Sequence, residues 1–374
     1  MTVPFYTSTR EYESRKQEFD EALQRVIAKG DFILGAEVAE FEKEAADYLG
    51  VPYAVGVASG SDALVIGADL LGFRDGAEVL TPTFTFFSST SCVTRLGGKP
   101  VLVDQDPETL NMSLEDAASK VSSKTVGIIP VHLFLQPTPM QKVMDFARAN
   151  KLKVLEDAAE AWGMESSVDG AWKKAGTIGD IGIYSFFPTK TLGAWGDAGL
   201  MVTNSEELYQ KIKSYRVHGS TIKYHHDYVG YNSRLDTLQA AILRVKLQKT
   251  EESIAARARH AGHYVERLKE IPEVRIPKVV EGNRGVYYVF NILVPKRDQL
   301  AAFMKEKGIG YSIYYPIPLH LQKCFSYLGY KKGDFPVAER TCEEIIALPM
   351  YPELKDDEVE YVCDEVIKFF RKDR

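Results

Sequence analysis

A chain of 374 residues is too long for one ordinary small domain, so its length implies a large domain with a smaller one. Apolar content of 45% and charged content of 26% are those of a globular protein. A formal net charge of −6 excludes a broad electrostatic attraction to nucleic acid or an anionic membrane, so an anionic ligand needs a local site. The cysteines Cys92, Cys324, Cys342 and Cys363 are widely spaced with no CxxC pair, which fits a reducing compartment rather than a disulfide framework or zinc site. Neither a leader pattern nor a membrane-length apolar run is legible, and the expected location is the cytoplasm.

Taken in chain order, residues 11–29 carry Phe19, Leu23 and Val26 at helical spacing, and Gly30–Gly35 breaks the pattern. A second amphipathic helix spans 37–49. Tyr53–Ala58 reads as a strand, and Ser59-Gly60-Ser61-Asp62 opens the following helix. A strand, a small-residue turn and a helix N-terminus can hold a phosphate, because free backbone N–H groups and the helix dipole face it; an ordinary N-cap turn reads the same way. Glu78–Pro82 is another strand, followed by Phe84, Phe86 and Phe87, of which two are expected in the core and one is available to stack on a planar ligand. Strands at 100–104 and 126–131 continue the alternation of strand and helix up to residue 200. That alternation implies an α/β fold with a mostly parallel sheet and sites at the carboxyl ends of its strands.

Asp157 stands where the strand of Val154-Leu155 ends, a position suited to a carboxylate held against a basic nitrogen as well as to a plain loop aspartate. Ile181–Tyr184 is a buried strand that breaks into Ser185-Phe186-Phe187-Pro188-Thr189-Lys190 and a glycine-rich turn, with a further strand at 200–203. A lone lysine there is compatible with a solvated surface residue or a reactive amine. His225-His226 comes without HExxH or comparable carboxylate spacing, so no metal site is expected. A long helical pattern from 238 to 264 leads into a second, α+β region with strands expected at 286–294 and 309–315 and helices at 297–307, 336–346 and 356–371. The division is placed between residues 249 and 250.

Together, Phe32-Ile33-Leu34-Gly35, Val57-Ala58-Ser59-Gly60-Ser61-Asp62, Pro82-Thr83-Phe84-Thr85-Phe86, Glu156-Asp157-Ala158-Ala159-Glu160, Ser185–Lys190, Gly230-Tyr231-Asn232-Ser233-Arg234 and Tyr315-Pro316-Ile317-Pro318-Leu319-His320 run almost end to end. With them the chain resembles the fold-type I pyridoxal-phosphate enzymes, specifically the DegT/StrS nucleotide-sugar aminotransferases. The resemblance implies a large domain with a mostly parallel seven-stranded sheet, a small C-terminal α+β domain, and a homodimer with shared active sites. It implies pyridoxal 5'-phosphate as cofactor, a nucleotide-linked ketosugar and L-glutamate as substrates, and a role in cell-surface polysaccharide or lipopolysaccharide sugar synthesis. By the same resemblance Lys190 binds the cofactor aldehyde and shuttles a proton, Asp157 pairs with the pyridine nitrogen and Phe86 stacks on the ring. Glu160 lies by the phenolic oxygen, where relatives often have glutamine. Gly60, Ser61, Ser185 and the partner copy's counterpart of Asn232 hold the phosphate. Arg234, Tyr315 and His320 are the expected substrate contacts. Tyr314-Tyr315 stands where relatives often read His-Tyr, and Leu135 where glycine is common. Lysine rather than histidine at position 190 favours transamination over the related sugar dehydration. The subgroup pattern is most similar to enzymes acting on UDP-2-acetamido-2-deoxy-3-oxo sugars, including the glucuronate; a dTDP-linked 3-keto- or 4-keto-6-deoxy sugar is the alternative, and a non-catalytic regulator or scaffold a remote one.

Overall fold

The computed structural model describes residues 1–371. Its strands in chain order are β1 Tyr53–Val57, β2 Glu78–Pro82, β3 Lys99–Val103, β4 Thr125–Ile128, β5 Lys153–Asp157, β6 Glu165–Val168, β7 Ala171–Lys174, β8 Ile181–Ser185, β9 Gly199–Thr203, β10 Ser220–Ile222, β11 His225–His226, β12 Asn283–Arg284, β13 Phe290–Leu293 and β14 Ile345–Leu348. Seven of them form one sheet in the order β1-β9-β8-β5-β4-β2-β3. All its neighbours are parallel except those of β9, which runs against β1 and β8. The strands read as near-continuous apolar runs because helices cover both faces. On one side Leu64, Ile66, Leu155 and Ile183 share a core, and on the other Phe41, Trp162, Tyr184 and Leu200 do.

This topology gathers the carboxyl ends of β1, β2, β5 and β8 along one edge, where β9 begins. Gly199 pairs there with both Val57 and Ser185. The helix Gly60–Leu70 starts at the same edge; Ser59 caps it, its Oγ accepting the Asp62 N–H at 3.1 Å.

A second core holds Tyr264, Phe290, Ile292, Leu348, Val359, Val362 and Val366, and Val3 joins it from the other end of the chain. The helix Asp356–Arg371 feeds this core through a stripe of Val359, Val362, Cys363, Val366 and Phe370, the period of an amphipathic helix. Among the described residues no helix is long and apolar enough to cross a membrane.

Several expected elements differ in extent. The strand expected over 286–294 is confined to Phe290–Leu293, because the Tyr288 N–H folds back on the Val286 carbonyl at 2.8 Å. The run 309–315 forms only isolated bridges, Ile309 with Val3 and Ser312 with Ala347. The helix expected to reach Ile346 stops at Glu344; Ile345–Leu348 is instead a fully buried strand paired antiparallel with β13. Helical periodicity at 238–264 is divided into Thr237–Leu247 and Thr250–Leu268. The β6–β7 hairpin went unread although Asp169-Gly170, both at positive φ, is the dipeptide that such a two-residue turn favours.

Gly182 in β8 has no room for a side chain: a Cβ would lie 1.7 Å from the Gly176 carbonyl oxygen. Gly182→Ala is therefore expected to destabilise the protein by about 1–3 kcal/mol or more. Urea denaturation checks this, and a midpoint equal to wild type would contradict the tight packing of β8.

Candidate active site

The lysine loop leaves β8 at Ser185 and returns as β9 at Gly199, closed by the Phe186 N–H to the Ala198 carbonyl and the Ala194 N–H to the Phe186 carbonyl, both 2.8 Å. It brings the Lys190 Nζ to 3.0 Å from Glu160 Oε1 and 4.3 Å from the centre of the Tyr288 ring. The side chains of the ion pair are 14% and 7% exposed, so both charges are largely out of water. Burial pushes the lysine down, but the Glu160 carboxylate, with the Tyr288 phenol and Asp157, outweighs it and holds the amine above the ordinary lysine range.

Asp157 ends β5 and is 3% exposed. Burial raises its carboxyl above the usual range, against the Ser89 hydroxyl donating at 2.6 Å and the Ala159 N–H donating at 3.1 Å. Its neighbour Glu156 anchors the strand end: fully buried, it accepts from the N–H groups of Gly176, Ile178 and Gly179 and from His132 Nε2 at 3.0 Å. His132 Nδ1 accepts the Thr138 N–H, which leaves the ring proton on Nε2.

Gly60, Ser61 and Ser185 meet at the helix N-terminus. A Cβ on Gly60 would lie 2.7 Å from the Ser185 Cβ, and one on Gly199 only 2.5 Å from the Ser59 carbonyl carbon. Only glycine lets the turn and the strand end approach this closely. The exposed Ser61 hydroxyl shares a hydrogen bond of 2.7 Å with Ser88. Phe86 is 55% exposed, and Phe87 is exposed as well, so only Phe84 of the three phenylalanines is core, one fewer than expected. Tyr315 sits 6.2 Å from Phe86 and 6.0 Å from Phe84, ring centre to ring centre, and burial raises its phenol well above the ordinary range.

Two expected residues make no hydrogen bond to the Lys190 cluster among the described residues, of which Asn232 was expected at the partner copy's phosphate. Asn232 is exposed and bridged to Val217, with no hydrogen bond to Lys190, Asp157 or Ser185 among the described residues. His320, expected to face substrate, is 2% exposed with both nitrogens taken, Nδ1 by the Thr83 hydroxyl at 2.9 Å and Nε2 by Glu339 at 3.0 Å. In this structure it acts as a strut between Thr83 and Glu339. Arg234 is half-buried, and among the described residues its guanidinium has no protein partner. Sequence reasoning missed Ser88, Ser89, Phe134 and Tyr288. The two serines directly follow the aromatic run at the β2 end and were readable as part of the same edge, whereas nothing local marks Phe134 or Tyr288.

Residues 13–367 match the DegT/DnrJ/EryC1/StrS aminotransferase family. The chain belongs to that family. A pleiotropic regulatory protein of Geobacillus stearothermophilus is 43% identical over 99% of each chain. A UDP-N-acetyl-3-dehydro-alpha-D-glucosamine 3-aminotransferase of Acidithiobacillus ferrooxidans is 37% identical over 96% of this chain and 95% of its own. The crystal structure of DesV from S. venezuelae, in complex with a ketimine intermediate, matches with a TM-score of 0.95 at 32% identity, over 99% of this chain and 98% of that one. The protein is a nucleotide-sugar aminotransferase dependent on pyridoxal 5'-phosphate.

The residues present fit that cofactor: a glycine-floored helix N-terminus ringed by Ser61, Ser88 and Ser185 suits a phosphate, the exposed Phe86 ring suits a planar heterocycle, and the buried Asp157 suits a protonated ring nitrogen. Among the described residues no group of three or more His, Cys, Asp or Glu could hold a metal ion.

In cofactor-free protein the folded Asp157 carboxyl binds its proton more tightly than the unfolded one. Its contribution to stability is therefore present below the ordinary aspartate value of about 3.9 and is lost as pH rises through the raised value. Asp157→Asn removes that dependence, so its stability relative to wild type is expected to improve as pH rises through this window. Denaturation of the two cofactor-free proteins across the acidic range checks it; a constant difference would show that the carboxylate carries no burial penalty.

Proposed function

We propose that the enzyme transfers an amino group from L-glutamate to the C3 ketone of a UDP-linked 2-acetamido-2-deoxy-3-oxo-hexose or its glucuronate form, supplying amino sugars for cell-surface polysaccharide or lipopolysaccharide. The observation that carries the aminotransfer chemistry is the meeting of a buried amine, Lys190, and a buried carboxylate, Asp157, at one sheet edge beside a serine-lined helix N-terminus. The UDP-3-oxo substrate is supported by a relative named for it at 37% identity. A second relative at 37% is named for the 3-oxo-glucuronate.

In this reading Gly60, Ser61 and Ser185 hold the phosphate, Phe86 lies along the ring, Asp157 faces its nitrogen and Glu160 its phenolic oxygen. Pyridoxal phosphate supplies an electron sink that acidifies the carbon bearing the amino group. Lys190 Nζ takes the proton from that carbon and later returns one, a role that needs its amine neutral for part of each turnover. Asp157 keeps the ring nitrogen protonated through a charge-assisted hydrogen bond. Tyr315 and Phe84 wall the site against water. The unpartnered guanidinium of Arg234 binds a carboxylate, that of glutamate or of a uronate, in the bidentate geometry open to arginine.

The reading includes a cytoplasmic homodimer in which each copy lends its Asn232 to the other's phosphate. Its support is the exposure of Asn232 together with that of the nearby apolar side chains Ile222, Tyr224 and Val229, which are 68%, 82% and 95% exposed. The second substrate reading, a dTDP-linked 3-amino-sugar precursor, is favoured by relatives at 36% and 35% identity named as dTDP-amino-sugar transaminases.

Lys190→Ala is expected to lower turnover at least about a thousandfold and to abolish the visible absorbance of the bound cofactor. Full activity in that variant would refute the assignment. Loaded enzyme is expected to bleach with glutamate and to regain its colour with a UDP-3-oxo-hexosamine; recovery only with a dTDP-6-deoxy-ketosugar would overturn the UDP substrate and keep the chemistry. Arg234→Lys is expected to raise the KM of the carboxylate substrate it serves about tenfold. Unchanged KM values for both substrates would remove Arg234 from the site.

A further inference from the structure

Phe134 ties together the two groups that surround the Lys190 amine. Its N–H donates to Glu160 Oε2 at 3.0 Å, while Oε1 of the same carboxylate accepts from Lys190. Its carbonyl accepts the Tyr288 N–H at 3.2 Å, while the Tyr288 ring lies under the amine. The residue that does both has φ +64, in the left-handed region that a bulky side chain rarely occupies, and its side chain is packed against Phe84, Tyr314 and Tyr315. Tyr288 is held further by its own hydroxyl, 3.1 Å from Thr189 Oγ1, and by its carbonyl, which accepts from the buried Arg257 at 3.0 Å. The ring is 5% exposed and is thereby fixed at both ends.

We propose that Glu160 and Tyr288 form a resting cradle for the ammonium of Lys190, occupied whenever that lysine is not bonded to the cofactor, with Phe134 as the residue that positions both walls. The inference rests on Lys190 being the cofactor lysine and adds no covalent step. It says where the amine waits between half-reactions and that it waits charged. A carboxylate at hydrogen-bond distance and the negative face of an aromatic ring both favour ammonium over amine, and both lose most of their effect when the amine moves away to the cofactor. Between those positions Nζ exchanges a cation-stabilising site for one where it can be neutral, so that a small movement changes its basicity. The other titratable groups that face the amine are Asp157 and Tyr314. A cavity of about 20 Å³ is lined by residues 190–193 together with Glu11, Lys246, Arg257 and Glu353. None of these carboxylates or cations replaces Glu160 at the amine, the only acidic side chain within salt-bridge distance of it among the described residues.

The test follows the Nζ resonance of Lys190 in cofactor-free protein labelled with 15N-lysine, identified by its loss in Lys190→Arg. In wild type the amine is expected to remain mostly charged at a pH of about 10.4, the ordinary lysine midpoint. Glu160→Gln is expected to lower its proton affinity at least tenfold. Tyr288→Leu should lower it a few-fold, and Tyr288→Phe, which keeps the ring and loses only the hydroxyl, should restore it. A merely structural role for either residue would leave this titration in place. If neither Glu160→Gln nor Tyr288→Leu moves the midpoint, the cradle does not exist. The tyrosine pair decides alone if Glu160→Gln does not fold. If Lys190→Ala still develops the visible band on adding pyridoxal phosphate, the underlying reading of Lys190 fails; if the band is lost and the midpoints do not move, only the cradle fails.

Discussion

The rest of the site depends on keeping three charged side chains out of water at one sheet edge. Lys190 and Glu160 neutralise each other at 3.0 Å, and Asp157 is buried beside them with a hydroxyl and a backbone N–H for company but no cation in contact. Removing one partner of such a pair leaves the other charge buried alone, at a cost of about 3–5 kcal/mol. Asp157 is the unbalanced member, and its raised proton affinity expresses that imbalance. A site one positive charge short is suited to a ligand that brings a protonated nitrogen, and the same shortage makes the folded protein less stable without it. Cofactor affinity and cofactor-free stability are therefore opposed at Asp157 by the same burial.

The sheet makes this arrangement possible because its connections return every carboxyl end to one edge. Strand β9 is the exception that matters: by running backwards it lets the lysine loop leave and re-enter the sheet beside its own starting point, with Gly199 pressed against Ser59 and Gly60. The phosphate-type turn and the lysine loop are thus in van der Waals contact across two glycines. A side chain at either position would push the turn and the loop apart.

Much of this was legible in the sequence. Alternating strand and helix over residues 50–200 announced the parallel sheet, because strands buried on both faces are written as short apolar runs. Asp157 and Lys190 could be read from where those runs stop. What was hidden follows from distance along the chain. Tyr288 lies about a hundred residues from Lys190, and no local pattern records that its ring ends beneath the amine. Ile345–Leu348 continues the helical pattern of its predecessor, yet it is buried on every side by pairing with β13, and tertiary burial overrides period in a four-residue segment. His320 stands in a motif that reads as substrate-facing, and no local pattern records its partners Thr83 and Glu339, which lie far along the chain or on another helix.

The C-terminal region reaches the sheet edge through His320. His320 grips Thr83 through its ring and through its backbone N–H, while the Leu319 N–H donates to the Thr83 carbonyl at 2.8 Å. Residues 83–89 are therefore clamped from the C-terminal side. The same short segment presents Phe86, lends Ser88 to Ser61 and sends the Ser89 hydroxyl to Asp157. Two sets of polar contacts meet in this segment, Glu339–His320–Thr83 at its start and Thr85–Ser89–Asp157 at its end, joined by the backbone between them. The path from Glu339 to Asp157 runs through the side chains of His320, Thr83 and Ser89 and the backbone between Thr83 and Ser89.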